Sequence, residues 1–170
     1  MVVRRATPAD AREIAAIHVG SWQVAYRGIV PQAYLDSLSV DRREIAWRDS
    51  LEKDTTHTWV AVEADSVRGW IRVARCRDPD ADSSSGEVWA IYVHPQHWRR
   101  GVARRLWTEA EAYLESAGYD RVTLWVLKEN EPALAFYASI GFAIDPGCEK
   151  TIELGGAQLA EIRLRHWLGS

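Results

Sequence analysis

The chain has 170 residues, 47% of them hydrophobic, and carries 21 Lys+Arg against 24 Asp+Glu for a formal net charge of −3. That length and apolar content suit a single globular domain over 1–170. No apolar run reaches the ~20 residues of a membrane span, and the mild acidity argues against a general binder of nucleic acid.

In chain order, residues 2–6 read as a short strand. Thr7-Pro8-Ala9-Asp10 reads as a helix start, with Thr7 placed to cap, Pro8 at the first helical position and Asp10 near the positive end. Ile14, Ile17, Val24 and Ala25 continue a helical face that Gly28 breaks. Pro31 opens a second short helix through Leu35 and Leu38, and residues 41–52 form a third. Residues 58–64 and 67–75 read as consecutive strands. Residues 77–86, RDPDADSSSG, read as a solvated hairpin loop. Residues 87–93, EVWAIYV, form an apolar strand that ends at His94-Pro95.

Past that exit, Val102, Leu106, Ala110, Tyr113, Leu114 and Ala117 make a helical stripe, and Gly118 is a left-handed stop. Residues 121–127 are again a strand. Asn130 caps a short helix that tolerates Pro132 in its first turn and ends at Gly141. Strands around 142–144 and 158–167 follow. This order predicts one α/β domain around a mixed sheet.

The stretch 94–106, HPQHWRRGVARRL, is the most informative. A strand that feeds a short turn and then a helix leaves the first helical N–H groups unpaired, and the helix dipole adds to their positive charge. Gly101 and Ala103 keep that turn open to a phosphate, while Arg99, Arg100, Arg104 and Arg105 supply charge nearby. On a mildly acidic chain, this points to a small anionic ligand. Neither GxxxxGK[ST] nor GxGxxG occurs, which leaves nucleotide hydrolysis and dinucleotide binding without support.

EVWAIYVHPQHWRRGVARRL followed by LWVLKENEPALAFYASIGF resembles the GNAT superfamily of acyl-CoA-dependent N-acetyltransferases. Residues 98–103 are similar to that family's [QR]xxGx[GA] signature. Asn130, Ala133, Phe136, Tyr137, Gly141 and Phe142 keep the register of its Nxx(A)xxFYxxxGF helix, about 30 residues on. The departure is Trp98, where the family has Gln or Arg.

The resemblance implies a GNAT fold, with a mixed, mostly antiparallel sheet of about seven strands flanked by helices. It implies acetyl-CoA as co-substrate, no metal, and an acceptor that is a small-molecule amine or a peptide amine. Cofactor contacts are implied for Ile91, Tyr92, Val93, Arg99, Arg100, Gly101, Val102, Ala103, Arg104, Asn130 and Phe136. Trp22, Tyr26 and Trp89 are expected to border the acceptor. Homodimers are common in the family.

The chemistry sets further requirements. An alkyl amine with a pKa near 10.4 must lose a proton before it attacks a thioester, at a cost of about 4–5 kcal/mol at pH 7. Glu87 resembles the carboxylate that serves as general base in part of the family. The Val93 N–H is the implied donor to the oxyanion, and Tyr137 the implied acid for the departing thiolate. Cys76 and Cys148 stand in no nucleophile motif, which favours direct attack in a ternary complex. They also form neither a disulfide framework nor a CxxC pair. Together with MVVRRATPAD, which lacks the apolar core of a signal peptide, this leads to the expectation of a cytoplasmic protein. His94 and His97 lack a third ligand at metal spacing. The rival readings are a catalytically silent acyl-CoA-binding module and, on the arginine cluster alone, a nucleic-acid-binding domain.

Overall fold

The computed structural model describes residues 1–53 and 56–169. Its strands are β1 Val2–Arg5, β2 His57–Glu63, β3 Ser66–Arg75, β4 Ser85–Val93, β5 Arg121–Leu127, β6 Ala143–Leu154 and β7 Ala157–Trp167. Its helices are α1 Ala11–Ala25, α2 Gln32–Asp36, α3 Val40–Lys53, α4 Val102–Ser116 and α5 Glu131–Ser139. The strands form one sheet in the order β1-β2-β3-β4-β5-β7-β6, antiparallel throughout except for the β4–β5 pair.

Side-chain periodicity assigns the two faces. On α4, Val102, Leu106, Ala110 and Leu114 recur at helical spacing, and all are buried against Ile71, Val73, Val122 and Leu124 of the sheet. On the opposite face, Ile14 and Ile17 of α1 and Trp47 of α3 pack with Val60, Val67 and Trp70. Leu35 of α2 closes a third cluster with Val30, Leu127 and Leu159. Burial of each such aliphatic side chain is worth about 1.5–3 kcal/mol, so the two helical layers hold the sheet from both sides.

Two glycine positions fix where α4 begins and where it ends. A Cβ on Gly69 would stand 3.0 Å from Val93 Cγ2 and 3.1 Å from Val102 Cγ1, so only glycine lets the start of α4 settle onto β3 and β4. Gly118 (φ +83) ends the helix as expected. Its N–H bonds the Glu115 carbonyl at 3.0 Å and the Tyr119 N–H bonds Leu114 at 3.1 Å, which together make a Schellman turn.

The structure departs from the sequence reading in three places. Pro8–Asp10 form a 3-10 turn ahead of α1, and the Thr7 N–H and hydroxyl both donate to the Asp10 carboxylate, at 2.7 and 3.1 Å. The strand expected around 142–144 continues, through an irregularity between Ile144 and Glu149, to Leu154. The polar loop before β4 is not merely solvated. Arg163 of β7 holds it through Asp80 (2.7 Å) and Asp78 (3.2 Å), and also binds Asp145 of β6 (2.8 Å).

Candidate active site

The site follows from a failure of strand pairing. β4 and β5 share only the pairs Ser85–Arg121, Gly86–Val122 and Glu87–Thr123, after which the two strands separate. On its other edge β4 stays paired with β3 up to Gly69–Val93, and the His94 N–H donates to the Arg68 carbonyl at 2.8 Å. Backbone groups alternate along an antiparallel strand, so the N–H groups of Ile91 and Val93 point toward β5, where no strand lies alongside. A cleft of about 870 Å³ opens there.

Val93 is held from two sides. Its carbonyl accepts the Ser21 hydroxyl at 2.9 Å from α1 and the Trp98 indole N–H at 2.7 Å. Trp98, the residue that departs from the family signature, thus anchors the exit of β4.

At one end of the cleft lie Arg99, Gly101, Val102, Ala103 and Arg104. Gly101 caps α4 in the left-handed region (φ +76), and beyond its own chain neighbours no heavy atom lies within 4 Å of where its Cβ would be. The first N–H groups of α4 therefore face open space, the arrangement that binds a phosphate. Arg104 also reaches α5, donating to the Ser139 carbonyl at 3.1 Å. Arg100 is exposed and stands outside the cleft wall.

The α5 wall supplies Asn130, Phe136 and Tyr137. Asn130 caps the helix by accepting the Ala133 N–H at 3.3 Å. Burial, reinforced by the neighbouring Tyr92, pushes the Tyr137 hydroxyl well above the ordinary phenol range, so it keeps its proton.

Aromatic rings line the opposite end. The hydroxyls of Tyr26 and Tyr92 share a hydrogen bond at 3.0 Å, and burial raises both above their ordinary pKa. Trp22 packs edge-on against Tyr26, with ring centroids 5.0 Å apart. Behind them, His18 stacks on Tyr92 at 5.3 Å.

Trp89 also lines the cleft, but Glu87 does not. The Glu87 side chain is 4% exposed and Arg77 engages it three times, through Nη2 at 2.6 Å, Nε at 3.0 Å and the backbone N–H at 3.1 Å. The Arg77 guanidinium lies 3.9 Å from the centroid of the Trp89 ring. The carboxylate expected to act as base is thus already in an ion pair, away from the cleft wall.

The expected cluster otherwise assembles: Trp22, Tyr26, Trp89, Ile91, Tyr92, Val93, Arg99, Gly101, Val102, Ala103, Arg104, Asn130, Phe136 and Tyr137 all face one cleft. Sequence reading missed Ser21, Trp98, Trp125 and Glu161. Trp125 and Glu161 sit at alternating strand positions where residue type alone carries no signal. His94 and His97 pack edge-on at 5.9 Å, and among the described residues no group of three or more ligating side chains surrounds them.

A model of the acetyltransferase (GNAT) family matches residues 21–142. The uncharacterized N-acetyltransferase YuaI of Bacillus subtilis is 30% identical over 165 residues, covering 96% of this chain and 91% of its own. Among solved structures, the PaiA N-acetyltransferase of Thermoplasma acidophilum in complex with coenzyme A matches with a TM-score of 0.76 at 18% identity, over 98% of both chains. The YncA protein of Salmonella typhimurium, solved with its cofactor acetyl-CoA, gives a TM-score of 0.76 at 20% identity, covering 100% of this chain and 95% of that one.

Proposed function

The chain belongs to the acetyltransferase (GNAT) family, and we propose that it transfers an acetyl group from acetyl-CoA to a primary amine by direct attack within the cleft. The observation that carries this reading is the unpaired β4 edge at Ile91 and Val93, which runs toward the open start of α4 at Gly101. One elongated ligand with an amide-bearing arm and a pyrophosphate would satisfy both.

The residues present fit acetyl-CoA. The α4 amides at Val102 and Ala103 suit its pyrophosphate, with Arg99 and Arg104 beside them. The edge amides of Ile91 and Val93 suit the pantetheine arm, while Tyr92, Asn130 and Phe136 wall the channel. When bound, acetyl-CoA supplies the electrophilic thioester carbonyl. The Val93 N–H is the donor for negative charge that develops on the carbonyl oxygen. Its position is rigid because Ser21 and Trp98 hold the adjoining carbonyl. Trp22, Tyr26 and Trp89 exclude water from the acceptor end. Tyr137, kept protonated by burial, donates to the departing sulfur and regains a proton from the one that the attacking nitrogen releases as the amide forms and the C–S bond breaks.

Glu87 is withdrawn from the base role, because Arg77 occupies its carboxylate and it is not among the residues that line the cleft. The acceptor therefore enters as the free amine, at a cost of about 4–5 kcal/mol for an alkyl amine at neutral pH.

Calorimetric titration with acetyl-CoA, followed by an amine-dependent assay of thiol release, tests this reading. Micromolar binding that Gly101→Asp abolishes, together with thiol release, supports it. Absence of binding by the intact protein overturns the assignment. Binding without release for any amine instead favours a silent binding module.

A further inference from the structure

Glu161 is the one carboxylate among the described residues that line the cleft, and Trp125 lines it on the next strand. Both stand on the β5–β7 pair, whereas Arg99 and Arg104 flank the start of α4. The corner between them already holds an ammonium group. Lys150, paired with Glu161 across the β6–β7 ladder, places its Nζ 3.4 Å from the Glu161 carboxylate and 3.9 Å from the centroid of the Trp125 ring. A carboxylate and an aromatic face converging on one primary ammonium make a complete cation site.

Lys150 itself is not part of the cleft wall. Its side chain is 43% exposed, so it can swing into water and leave the corner to another cation. The Trp125 indole is fixed for this role, because its N–H donates to the Asp78 carboxylate at 3.0 Å and that loop is pinned by Arg163. Glu161 also acts on the acceptor side electrostatically. Its charge is a minor contributor, after burial, to the raised pKa values of Tyr26 and Tyr92.

The cation this corner suits is not the nucleophile. An opposite charge favours the protonated form of an amine, whereas attack requires the neutral form. A carboxylate partner would therefore hold back the reacting nitrogen but anchor a second one. Among the described residues that line this end of the cleft, Glu161 is charged and no Lys or Arg is present, so a carboxylate on the acceptor would meet like charge.

We infer that the Glu161–Trp125 corner is a subsite for a second, non-reacting ammonium of the acceptor, and that Lys150 is its tethered stand-in. The acceptor class is then a diamine, or another primary amine with a distant positive charge. This inference rests on the acetyltransferase reading of the cleft.

The test uses three ligands of matched length: 1,4-diaminobutane, butylamine and 4-aminobutanoate. Each is titrated calorimetrically into the full chain, with and without coenzyme A. The diamine is expected to bind about tenfold more tightly than butylamine, the gain of one partly exposed ion pair on an aromatic face, with 4-aminobutanoate the weakest. Glu161→Gln should erase the diamine's advantage over butylamine. Lys150→Ala should strengthen diamine binding about threefold by removing the competitor. This exposed variant keeps the test decisive if Glu161→Gln fails to fold.

Equal affinities for diamine and butylamine would overturn the subsite, as would a preference that survives Glu161→Gln or no gain in Lys150→Ala. Acetyl-CoA binding, measured separately on the same proteins, reports on the acetyltransferase reading alone. Its absence removes that reading, whereas intact acetyl-CoA binding without a Glu161-dependent diamine preference removes only the subsite.

Discussion

Ser21 of α1 donates its hydroxyl proton to the carbonyl of Val93, 2.9 Å away and seventy-two positions later in the chain. The same carbonyl accepts the Trp98 indole at 2.7 Å, so a helix and a turn grip one peptide at the end of β4. Loss of either donor leaves the carbonyl satisfied by the other, at a cost of about 1 kcal/mol; loss of both orphans it, at about 1–3 kcal/mol more. Urea unfolding of Ser21→Ala, Trp98→Phe and the double variant should therefore show the double to be less stable than the sum of the singles. Strict additivity would mean that the shared carbonyl is not where the two side chains act.

Glu87 offers a sharp contrast between two roles. A general base is worth about 10²–10⁴-fold in rate, so Glu87→Gln would be crippling if it took the amine proton. With the carboxylate held by Arg77, the expected loss in kcat/KM is instead below about tenfold, along with about 1–2 kcal/mol of stability from the weakened ion pair. In both proteins kcat/KM should rise with pH at unit slope toward the pKa of the acceptor. A plateau near neutral pH that disappears in Glu87→Gln would restore the base assignment.

Tyr137 carries the opposite expectation. Its buried hydroxyl holds its proton above the ordinary phenol range, so the acid form persists across the working pH and no alkaline fall in kcat should arise from it. Tyr137→Phe removes the proton while keeping the ring against Phe142 and Phe136. About a hundredfold drop in kcat with unchanged affinity for acetyl-CoA is expected, as read by thiol release and calorimetry. An equal loss in both would mean that the hydroxyl serves binding.

His18 makes the fold sensitive to acid. Burial, then the charges of Arg43 and Arg72, push its pKa down to about 3. Trp22 and Trp70 flank the ring, each with its centroid 5.5 Å away, and the Trp47 indole N–H points at Nδ1 from 3.4 Å. In the unfolded chain the imidazole titrates near 6.5. Below that pH the unfolded chain takes up a proton that the folded chain refuses. Stability is thus fully present above pH 6.5 and falls as the pH drops toward 3, by about 1.4 kcal/mol per unit. Between pH 7.5 and 5.0 the parent chain should lose about 2 kcal/mol more than His18→Phe in urea melts. Parallel losses would place the acid sensitivity elsewhere.

What was legible in the sequence follows the range of the interactions involved. Helix periodicity, the Gly101 turn, the Gly118 stop and the Asn130 cap are local, and each reads from a few neighbouring residues. Arg163 binds Asp78 and Asp80 from 85 and 83 positions away, so a loop that reads as solvated is pinned by a partner that no local pattern reveals. Glu161 and Trp125 are ordinary strand residues until β4 and β5 part and expose them to a cleft. Glu87 was misplaced for a related reason. Register slips between Arg72 and Val73, so that Arg72 faces Ala90 and Val73 faces Val88, leaving Trp89 as the extra residue of a bulge. A bulge breaks simple alternation, so a likeness in sequence at Glu87 does not tell which way its side chain turns.

The short β4–β5 ladder acts as the spine of a half-open book. Arg121 stitches that spine, donating to the Ser85 hydroxyl at 2.7 Å and to Asp82 at 3.1 Å, while the Asp120 N–H reaches the Ser84 carbonyl at 3.0 Å. The two leaves, β1 to β4 and β5 to β6, are therefore fixed at an angle by the binding. A ligand sliding between them has no pages to prise apart, and its arrival should stiffen the leaves without turning them.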